Sequence, residues 1–422
     1  MSRQRVWFWG SAGERVAAAA AIAVSAAFLL CGYEFMRSVS QSLFVQAYGV
    51  RRLPWVMAAA PLGTLALVWG YGRVLSAVGA RRAMLLTTAL TGLAILACHA
   101  AIRGGSRGVT AALYVLREAY IVLLVEQVWS FINSTVSTAE GRRLNGPVCG
   151  VASLGAIAGG FLVRRYALAV GSNNLLPAAA LSLLPTGAAA ALAYRWGGEP
   201  QPSAAEAGGR RGHLGLGELA AQPTLRRLAL LVVLTQVVST ALDLQLNRLV
   251  ALALPGADER TRWFGGFYAA LNLCSALFQF VLAPWLLRRA PLRAIHLGIP
   301  LAHLGFCATA LAWPLLATAA AAYLCFKVLD YSVFRAAKEL LYIPLSYDAR
   351  YRSKELIDAF GYRFAKGAAS LGFGVAAELR AAPPAAYALT ALAALAAWVP
   401  LAAGLARSGE GQSAARTTSD QS

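Results

Sequence analysis

The sequence predicts an all-α membrane protein that crosses the bilayer about twelve times, because that many apolar segments approach the ~20 residues needed for a ~30 Å crossing. Hydrophobic residues make up 58% of the 422 residues and charged residues only 14%, which leaves too little polar surface for a soluble globule. The lipid bilayer is therefore a predicted partner. The predicted spans are 15–36, 54–72, 83–102, 109–132, 145–163, 173–194, 228–253, 263–287, 293–312, 314–342, 355–379 and 385–406.

The charge of the loops predicts the orientation. With a cytoplasmic N-terminus, 21 basic loop and tail residues lie inside and 9 lie outside. The positive-inside rule then places both termini in the cytoplasm. Most of the formal charge of +19 follows from this asymmetry. Because no basic stripe alternates with exposed aromatic residues, nucleic acid is not an expected partner.

The apolar segments fall into two groups of six. Residues 1–194 are predicted to form an N-terminal six-helix half, and residues 228–406 a C-terminal six-helix half. The hydrophilic interval 195–227 between them is rich in Gly, Pro and Ser, which predicts a flexible cytoplasmic linker. The polar tail 407–422 is predicted to be disordered.

The loop after the second span carries a short motif. Residues 72–82, GRVLSAVGARR, resemble the G-x-x-x-D-R-x-G-R-R loop of major facilitators, with Ser76 in place of the aspartate. Its glycines permit a tight turn, and Arg81 and Arg82 can pair with helix ends at a cytoplasmic gate. The positive-inside rule alone would also account for these arginines. Together with the six-plus-six arrangement, the motif predicts the major facilitator architecture.

Ionisable residues inside the spans carry most of the functional information. An ionised side chain at the bilayer centre costs roughly 2.5 to 3.5 kcal/mol, so those that are retained usually face a cavity or a partner. The predicted spans hold both signs of charge, which indicates a polar interior. These residues are Glu34, Arg37, Arg117, Glu118, Glu126, Asp243, Arg248, Lys327, Asp330, Arg335, Lys338, Glu339, Asp358, Arg363, Lys366 and Glu378.

All four lysines lie in one stretch, at positions 327, 338, 354 and 366. Arginine serves elsewhere, so the lysines indicate sites where a compact point charge is needed. In one continuous helix Lys327 and Lys338 would return to within about 20° of the same face, about 16 Å apart, and would attract an anionic substrate. In the alternative, Lys327 neutralises Asp330 and Lys338 snorkels to the interface.

The lysine-rich stretch resembles a known family. Residues 338–346, KELLYIPLS, are similar to the K-E-x-x-Y-I-P-L-D/S signature of the ATP/ADP translocase-type nucleotide transporters of intracellular bacteria and plastids. Residues 126–131, EQVWSF, and 140–143, EGRR, resemble two further segments of that family. Its K-x-x-I-D-x-x-G-x-R-x-G-K motif is similar to Lys354, Ile357, Asp358, Gly361, Arg363 and Lys366, with Ala365 in place of a glycine.

The first span departs from this family. Where the family has L-R-N-T-K-D, this chain keeps Arg37 but has Ser40 and Gln41 in place of the Lys-Asp pair. The resemblance implies that this lysine helps to bind nucleotide phosphates. Its loss removes a charge-assisted contact worth on the order of 1.5 to 3 kcal/mol, which favours a less highly charged substrate.

The resemblance implies a secondary active transporter of the bacterial inner membrane that moves an organic anion, with a nucleotide as a candidate, by alternating access. The predicted substrate-binding residues are Arg37, Glu126, Lys327, Lys338 and Lys366. Coupling or charge balance is assigned to Asp243, Asp330 and Asp358. Gating is assigned to Arg81, Arg82, Arg142, Arg143, Arg350 and Arg352.

Two other functions remain open, a proton-coupled facilitator for an unrelated small solute and a non-transporting receptor or scaffold. An enzyme is not expected, because the sequence contains no phosphate-binding loop, Ser/His/Asp set or metal-ligand spacing. The six cysteines lie in predicted spans without C-x-x-C spacing, so neither a metal nor a cofactor is predicted. We expect a monomer.

Overall fold

The computed structural model describes residues 12–135, 138–199, 222–342, 357, 361–379 and 385–419, and within these ranges the regular structure is helical, with no strand. Short 3-10 turns at Val50–Arg52 and Asn173–Leu175 connect some of the helices. The helices are α1 (Ala12–Tyr48), α2 (Leu53–Arg103), α3 (Gly108–Thr135), α4 (Thr138–Val170), α5 (Leu176–Gly197), α6 (Pro223–Ala253), α7 (Ala257–Leu277), α8 (Ala283–Arg289), α9 (Leu292–Ala312), α10 (Leu316–Leu329), α11 (Arg335–Tyr342), α12 (Tyr362–Glu378) and α13 (Ala386–Ser419).

Ten of the described helical segments are long and apolar enough to span a bilayer. One of them, Val50–Arg103, has 54 residues, or about 80 Å at 1.5 Å per residue, which is long enough for two ~30 Å crossings. It bends at Gly79 (φ 80°, ψ 170°), between the predicted spans 54–72 and 83–102. The predicted tight turn is therefore present, and the prediction of an all-α polytopic membrane protein is confirmed.

Contacts divide the chain into two compact units. The first unit contains Met1–Gly49, Ala59–Gly208 and Pro255–Leu273, and the second contains Val50–Ala58, Gly209–Leu254 and Cys274–Ser422. Each unit thus includes one short piece of the other predicted half. Close packing explains both pieces. A Cβ on Gly265 of α7 would lie 2.7 Å from the backbone nitrogen of Arg164 in α4, and the Trp55 ring packs against Gly374 of α12.

In the first unit α1 is the central helix and packs against α3, α4 and α5. Small residues allow the close approach: a Cβ added to Gly155 or Gly159 of α4 would collide with the α1 backbone at Ala27 or Cys31. Interhelical contacts of this kind, made by small residues, are typical of membrane proteins. They fix the faces of α1 and α3 that carry charged side chains.

In the second unit α6 packs against α10, α12 and α13, and α9 packs against α10 and α13. Buried rings fill the space between them. The His303 ring lies 4.9 Å from that of Phe326 and 5.9 Å from that of Trp398, and Phe334 lies 5.2 Å from Trp398. This aromatic core supports the inner side of α10, which carries Lys327.

Two helices contain π-turns. Phe278–Leu282 joins α7 to α8, and Asp330–Phe334 joins α10 to α11. A π-turn adds about one residue to a turn and therefore rotates the following side chains by about 100°, the angle of one α-helical residue. The sequence-based alignment of Lys327 and Lys338 on one face assumed a continuous α-helix. The π-turn between them shifts this alignment by about one residue, and the joint role of the two lysines in binding stays a prediction.

The C-terminal segment also differs from expectation. Helix α13 continues to Ser419, whereas residues 407–422 were predicted to be disordered. The segment contains Ala414, Ala415 and Arg416, which are strong helix formers, and this local preference favours a helix even though the segment is polar. Residues 200–221 of the predicted linker lie outside the described residues.

Candidate functional site

The structure gathers several in-span charges of the first unit into one cluster. We call it the arginine–carboxylate cluster: Glu34 and Arg37 of α1, Arg117 and Glu118 of α3, and Asn272 of α7. Glu34 and Arg117 are 2% and 3% exposed. Burying such groups is costly unless they are paired, so the contacts within the cluster determine what it can do.

Glu34 has one satisfied and one unsatisfied carboxylate oxygen. Asn272 Nδ2 donates a hydrogen bond of 2.9 Å to Glu34 Oε1. Arg37 Nη1 lies 4.0 Å from the same oxygen, at the outer limit of an ion pair. Glu34 Oε2 is buried and has no hydrogen-bond partner among the described residues. The second oxygen can therefore accept a hydrogen bond from a ligand or carry a proton.

Arg117 is held by several acceptors. Its Nη2 pairs with the carboxylate of the neighbouring Glu118. Its Nη1 lies 3.2 Å from the Arg37 carbonyl, 3.4 Å from Ser40 Oγ and 3.2 Å from Gln41 Oε1. A buried arginine thus contacts the two positions where the resemblance has Lys-Asp. These contacts engage both terminal nitrogens of Arg117 and fix its orientation, whereas its buried Nε has no hydrogen-bond partner among the described residues.

Arg37 lies against an aromatic ring. Its guanidinium carbon is 3.6 Å from the centre of the Tyr268 ring of α7, and its side chain is 14% exposed. A cation over a ring face gains roughly 0.5 to 2 kcal/mol, depending on desolvation. With Glu34 and Glu118 ionised, two carboxylates balance two guanidiniums, so the ionised cluster is neutral.

The second unit contains the lysine–tyrosine cluster, made of Lys327 and Asp330 with Tyr323, Tyr331 and Tyr362. Lys327 is 4% exposed. Its ammonium lies 5.2 Å from the centre of the Tyr331 ring and 5.7 Å from that of Tyr323. The Phe326 ring lies at 5.8 Å.

Lys327 lacks a direct counterion in the described part of the chain. No carboxylate there lies within 4.0 Å of its ammonium, although Asp330 and Tyr362 are within electrostatic range. Asp330 also interacts electrostatically with Lys338 and Arg335. The predicted Lys327–Asp330 pair is therefore not a close ion pair. Such a buried ammonium surrounded by rings can receive an anion.

The other predicted binding residues lie at different distances from these clusters. Lys366 of α12 is half-buried and within electrostatic range of Tyr362, and Lys338 of α11 is half-buried. Glu126 of α3 is exposed and joins neither cluster. Asp243 of α6 is half-buried and accepts a 2.9 Å hydrogen bond from Asn247, also outside the clusters.

The predicted gating arginines are only partly described. Arg81, Arg82 and Arg143 are exposed. The Arg81 backbone N–H donates a 3.0 Å hydrogen bond to Glu199 Oε1, which lies beside the bend at Gly79. Outside the described residues are Arg350, Arg352, Lys354, Asp358 and the side chain of Arg142.

Three residues at the cluster were not assigned to the site from the sequence, namely Arg117, Asn272 and Tyr268. Arg117 was recognised as an in-span charge, and its proximity to Glu118 was the available signal. Asn272 and Tyr268 carry no charge, and their partners Glu34 and Arg37 are more than 200 positions away in sequence. No group of three His, Cys, Asp or Glu residues that could hold a metal occurs in the described part of the chain.

Solved structures share the fold. The nucleoside transporter NupG superposes with a TM-score of 0.62 at 10% identity, covering 92% of this chain and 98% of NupG. A bacterial homologue of the iron transporter ferroportin in an inward-facing state gives 0.58 at 16% identity, covering 90% and 98%. A bacterial homologue of the human lysosomal transporter Spinster gives 0.55 at 14% identity, covering 96% and 98%.

No protein-family profile matches the sequence, and no curated protein matches it either. At identities of 10 to 16% the structural likeness shows the fold alone. The resemblance to ATP/ADP translocase-type transporters stays a prediction. All three matched proteins are membrane transport proteins rather than enzymes. The chain shares its helical fold with these three proteins.

Proposed function

We propose that this protein is a secondary active transporter that moves an organic anion by alternating access, with a nucleotide as the candidate substrate. The observation that carries the proposal is Lys327, a buried ammonium with three rings around it and no carboxylate at ion-pairing distance in the described chain. An ion placed in this way is expensive to keep unless it serves a ligand.

The surroundings of Lys327 suit an anion that carries an aromatic part. Tyr323, Phe326 and Tyr331 provide aromatic rings near the ammonium, and a base stacked on an aromatic side chain gains roughly 1 to 3 kcal/mol. Lys366 adds a second cation within electrostatic range of Tyr362. A nucleotide combines both features, a charged phosphate and a flat base.

The arginine–carboxylate cluster, considered within the first unit alone, offers an anion little positive charge. The two terminal nitrogens of Arg117 already contact Glu118, Ser40 and Gln41. Arg37, whose side chain is 14% exposed, is therefore better placed than Arg117 to contact a ligand. This supports a nucleotide with few phosphates over a triphosphate. The nucleoside transporter among the matched structures is consistent with this proposal at the level of the fold.

Ligand-dependent thermal unfolding of the purified protein tests the substrate class. ATP, ADP, AMP, adenosine and non-nucleotide organic anions would be compared at equal concentration. We expect AMP or ADP to raise Tm more than ATP and adenosine, since binding to the native state alone stabilises it. A response to a non-nucleotide anion with none to any nucleotide would replace the nucleotide by that solute. A response to no anion would reject the proposal.

Proton-coupled transport of another solute is the second candidate, and Glu34 favours it. A buried carboxylate with an unpartnered oxygen is typical of a proton carrier. The groups around it are Tyr33 and Arg37 on α1, Arg117 and Tyr120 on α3, and Asn272 on α7. Uptake driven by an imposed pH gradient, and abolished by Glu34→Gln, would support this candidate. Uptake that ignores the gradient would exclude it.

Gating by Arg81, Arg82, Arg142, Arg143, Arg350 and Arg352 is part of the same proposal, as are coupling by Asp243, Asp330 and Asp358 and binding by Glu126 and Lys338. Also proposed are a monomer, a bacterial inner membrane and cytoplasmic termini. Cysteine labelling from either side of intact cells tests the orientation. Labelling of a terminus from outside would contradict it.

A further inference from the structure

We propose that an exposed groove of the first unit binds the headgroup of an anionic phospholipid. The groove lies between α4 and α7 and has a volume of about 780 Å³. We call it the arginine groove, and its lining residues are Phe161, Arg164, Arg165, Leu168, Ala169 and Arg262. It is separate from the arginine–carboxylate cluster, and the proposal does not depend on the transported substrate.

The three arginines of the groove have no counterion in the described part of the chain. No carboxylate there lies within 4.0 Å of Arg164, Arg165 or Arg262. The carboxylate of Asp258, at the start of α7, accepts hydrogen bonds at Oδ1 from the Ser172 backbone (2.7 Å) and hydroxyl (2.6 Å), and it forms no ion pair with these arginines. Three guanidiniums thus line one groove, and no carboxylate of the described chain lies at ion-pairing distance from them, which favours an anion there.

Both helices contribute to the shape of the groove. Phe161, Arg164, Arg165 and Leu168 follow the i, i+3, i+4, i+7 spacing of one α-helical face. The Arg164 side chain lies across α7, where a Cβ on Gly266 would come within 2.9 Å of its Cδ. The two apolar residues flank the arginines and are 51% and 49% exposed. In a bilayer, they provide apolar contacts for acyl chains.

The three arginines lie close to the joined ends of α4 and α7. Arg164 stands six residues before Val170, the end of α4, and Arg262 five residues after Ala257, the start of α7, or about 9 and 8 Å along the helices. The Ser172–Asp258 hydrogen bonds join these two ends. The arginines are therefore at one level, about one and a half turns inside the helical ends.

An anionic phospholipid matches both features of the groove, because its phosphate suits the arginines and its acyl chains suit Phe161 and Leu168. Guanidinium binds phosphate through paired, charge-assisted hydrogen bonds. A free anion would use the arginines but not Phe161 and Leu168. The loop charges predict that this end faces the outside, where arginines are normally depleted. Three of them at one place therefore indicate a specific binding role in the outer leaflet.

Thermal unfolding of the full-length protein in mild detergent tests the proposal, with phosphatidylglycerol, phosphatidylcholine or inorganic phosphate added. We expect phosphatidylglycerol alone to raise Tm. Arg164→Gln combined with Arg165→Gln should need at least about tenfold more phosphatidylglycerol for the same rise. The control combines Arg103→Gln with Arg107→Gln, which removes two exposed arginines from another loop and should behave as the unaltered protein.

Several results would overturn the proposal. An equal rise with phosphatidylcholine would show that headgroup charge is not recognised, and an equal rise with inorganic phosphate would assign the groove to a free anion. An equal loss in the control pair would indicate a general charge effect. If the double variant loses helicity, Arg262→Gln alone decides the question. Its response to phosphatidylglycerol must then be weaker than that of the unaltered protein, and an unchanged response rejects the proposal.

Discussion

Replacing Lys327 by methionine separates a ligand-binding role from a structural one. Methionine keeps an unbranched chain of similar length and removes the charge. If Lys327 were the structural partner of Asp330, its removal would leave a buried carboxylate uncompensated and cost about 3 to 5 kcal/mol. The structure predicts a different outcome, because no carboxylate of the described chain lies within 4.0 Å of the ammonium.

The contacts of Lys327 determine how much its replacement should change the free energy of unfolding and the nucleotide affinity. The three ring centres lie at 5.2, 5.7 and 5.8 Å, close to the ~6 Å limit of a useful cation–π contact, so they offset only part of the several kcal/mol needed to desolvate the ammonium. The free energy of unfolding should therefore fall by less than about 1 kcal/mol or rise. Nucleotide affinity should fall by about 1.5 to 3 kcal/mol, or about 10- to 150-fold.

Denaturant unfolding in detergent measures the free energy of unfolding. Titration calorimetry measures nucleotide affinity, with the nucleotide that gives the largest thermal shift. Arg335→Met is the matched control, because it removes an exposed cation that also interacts with Asp330. It should leave nucleotide affinity unchanged. A ligand-binding role for Lys327 is contradicted if Lys327→Met lowers the free energy of unfolding by about 3 kcal/mol or more while the folded fraction binds the nucleotide with undiminished affinity.

Three further predictions concern packing and pairing. Gly155→Ala should lower the free energy of unfolding by about 1 to 3 kcal/mol, because its Cβ would collide with Ala27; Gly298→Ala, in open space on α9, should be neutral or stabilising, and equal Tm values would contradict the packing. Glu34→Ala should lower the free energy of unfolding by about 1 to 3 kcal/mol, because it leaves Asn272 unpaired, whereas Glu34→Gln should lower it less. Thermal unfolding of both variants measures the difference, and equal losses would contradict the role of this hydrogen bond. A double-mutant cycle on the exposed Arg52–Glu378 pair should give a coupling of only about 0.2 to 1 kcal/mol, and a larger value would mean that the pair is more shielded than its 58% and 38% side-chain exposures indicate.

The fold could be predicted from the lengths of the apolar segments because a bilayer imposes them. The predicted span 109–132 lies within α3 (Gly108–Thr135), and 293–312 matches α9 (Leu292–Ala312). Interruptions within a span could not be predicted in this way. The π-turn Asp330–Phe334 lies inside the apolar span Leu316–Tyr342 and depends on its packing, so hydropathy gives no sign of it.

From the sequence, only the charged residues of the candidate site could be identified. Glu34, Arg117 and Lys327 could be identified because an ionised side chain costs free energy in any membrane-spanning helix. The partners depend on tertiary structure. Asn272 contacts Glu34 across 238 positions, and a single neutral amide in an apolar segment has no distinguishing pattern. Likewise, only the distances show that no described carboxylate pairs with Lys327, since Asp330 stands at the spacing that would suggest a pair.

Counterflow in proteoliposomes tests the proposed transport most directly. Vesicles containing the purified protein are loaded with unlabelled AMP or ADP, and the entry of the same nucleotide in labelled form is followed without any imposed gradient. We predict transient accumulation above the external concentration in vesicles with the unaltered protein, and little or none with Lys327→Met. No accumulation of any nucleotide by protein that is correctly folded and inserted would contradict nucleotide transport.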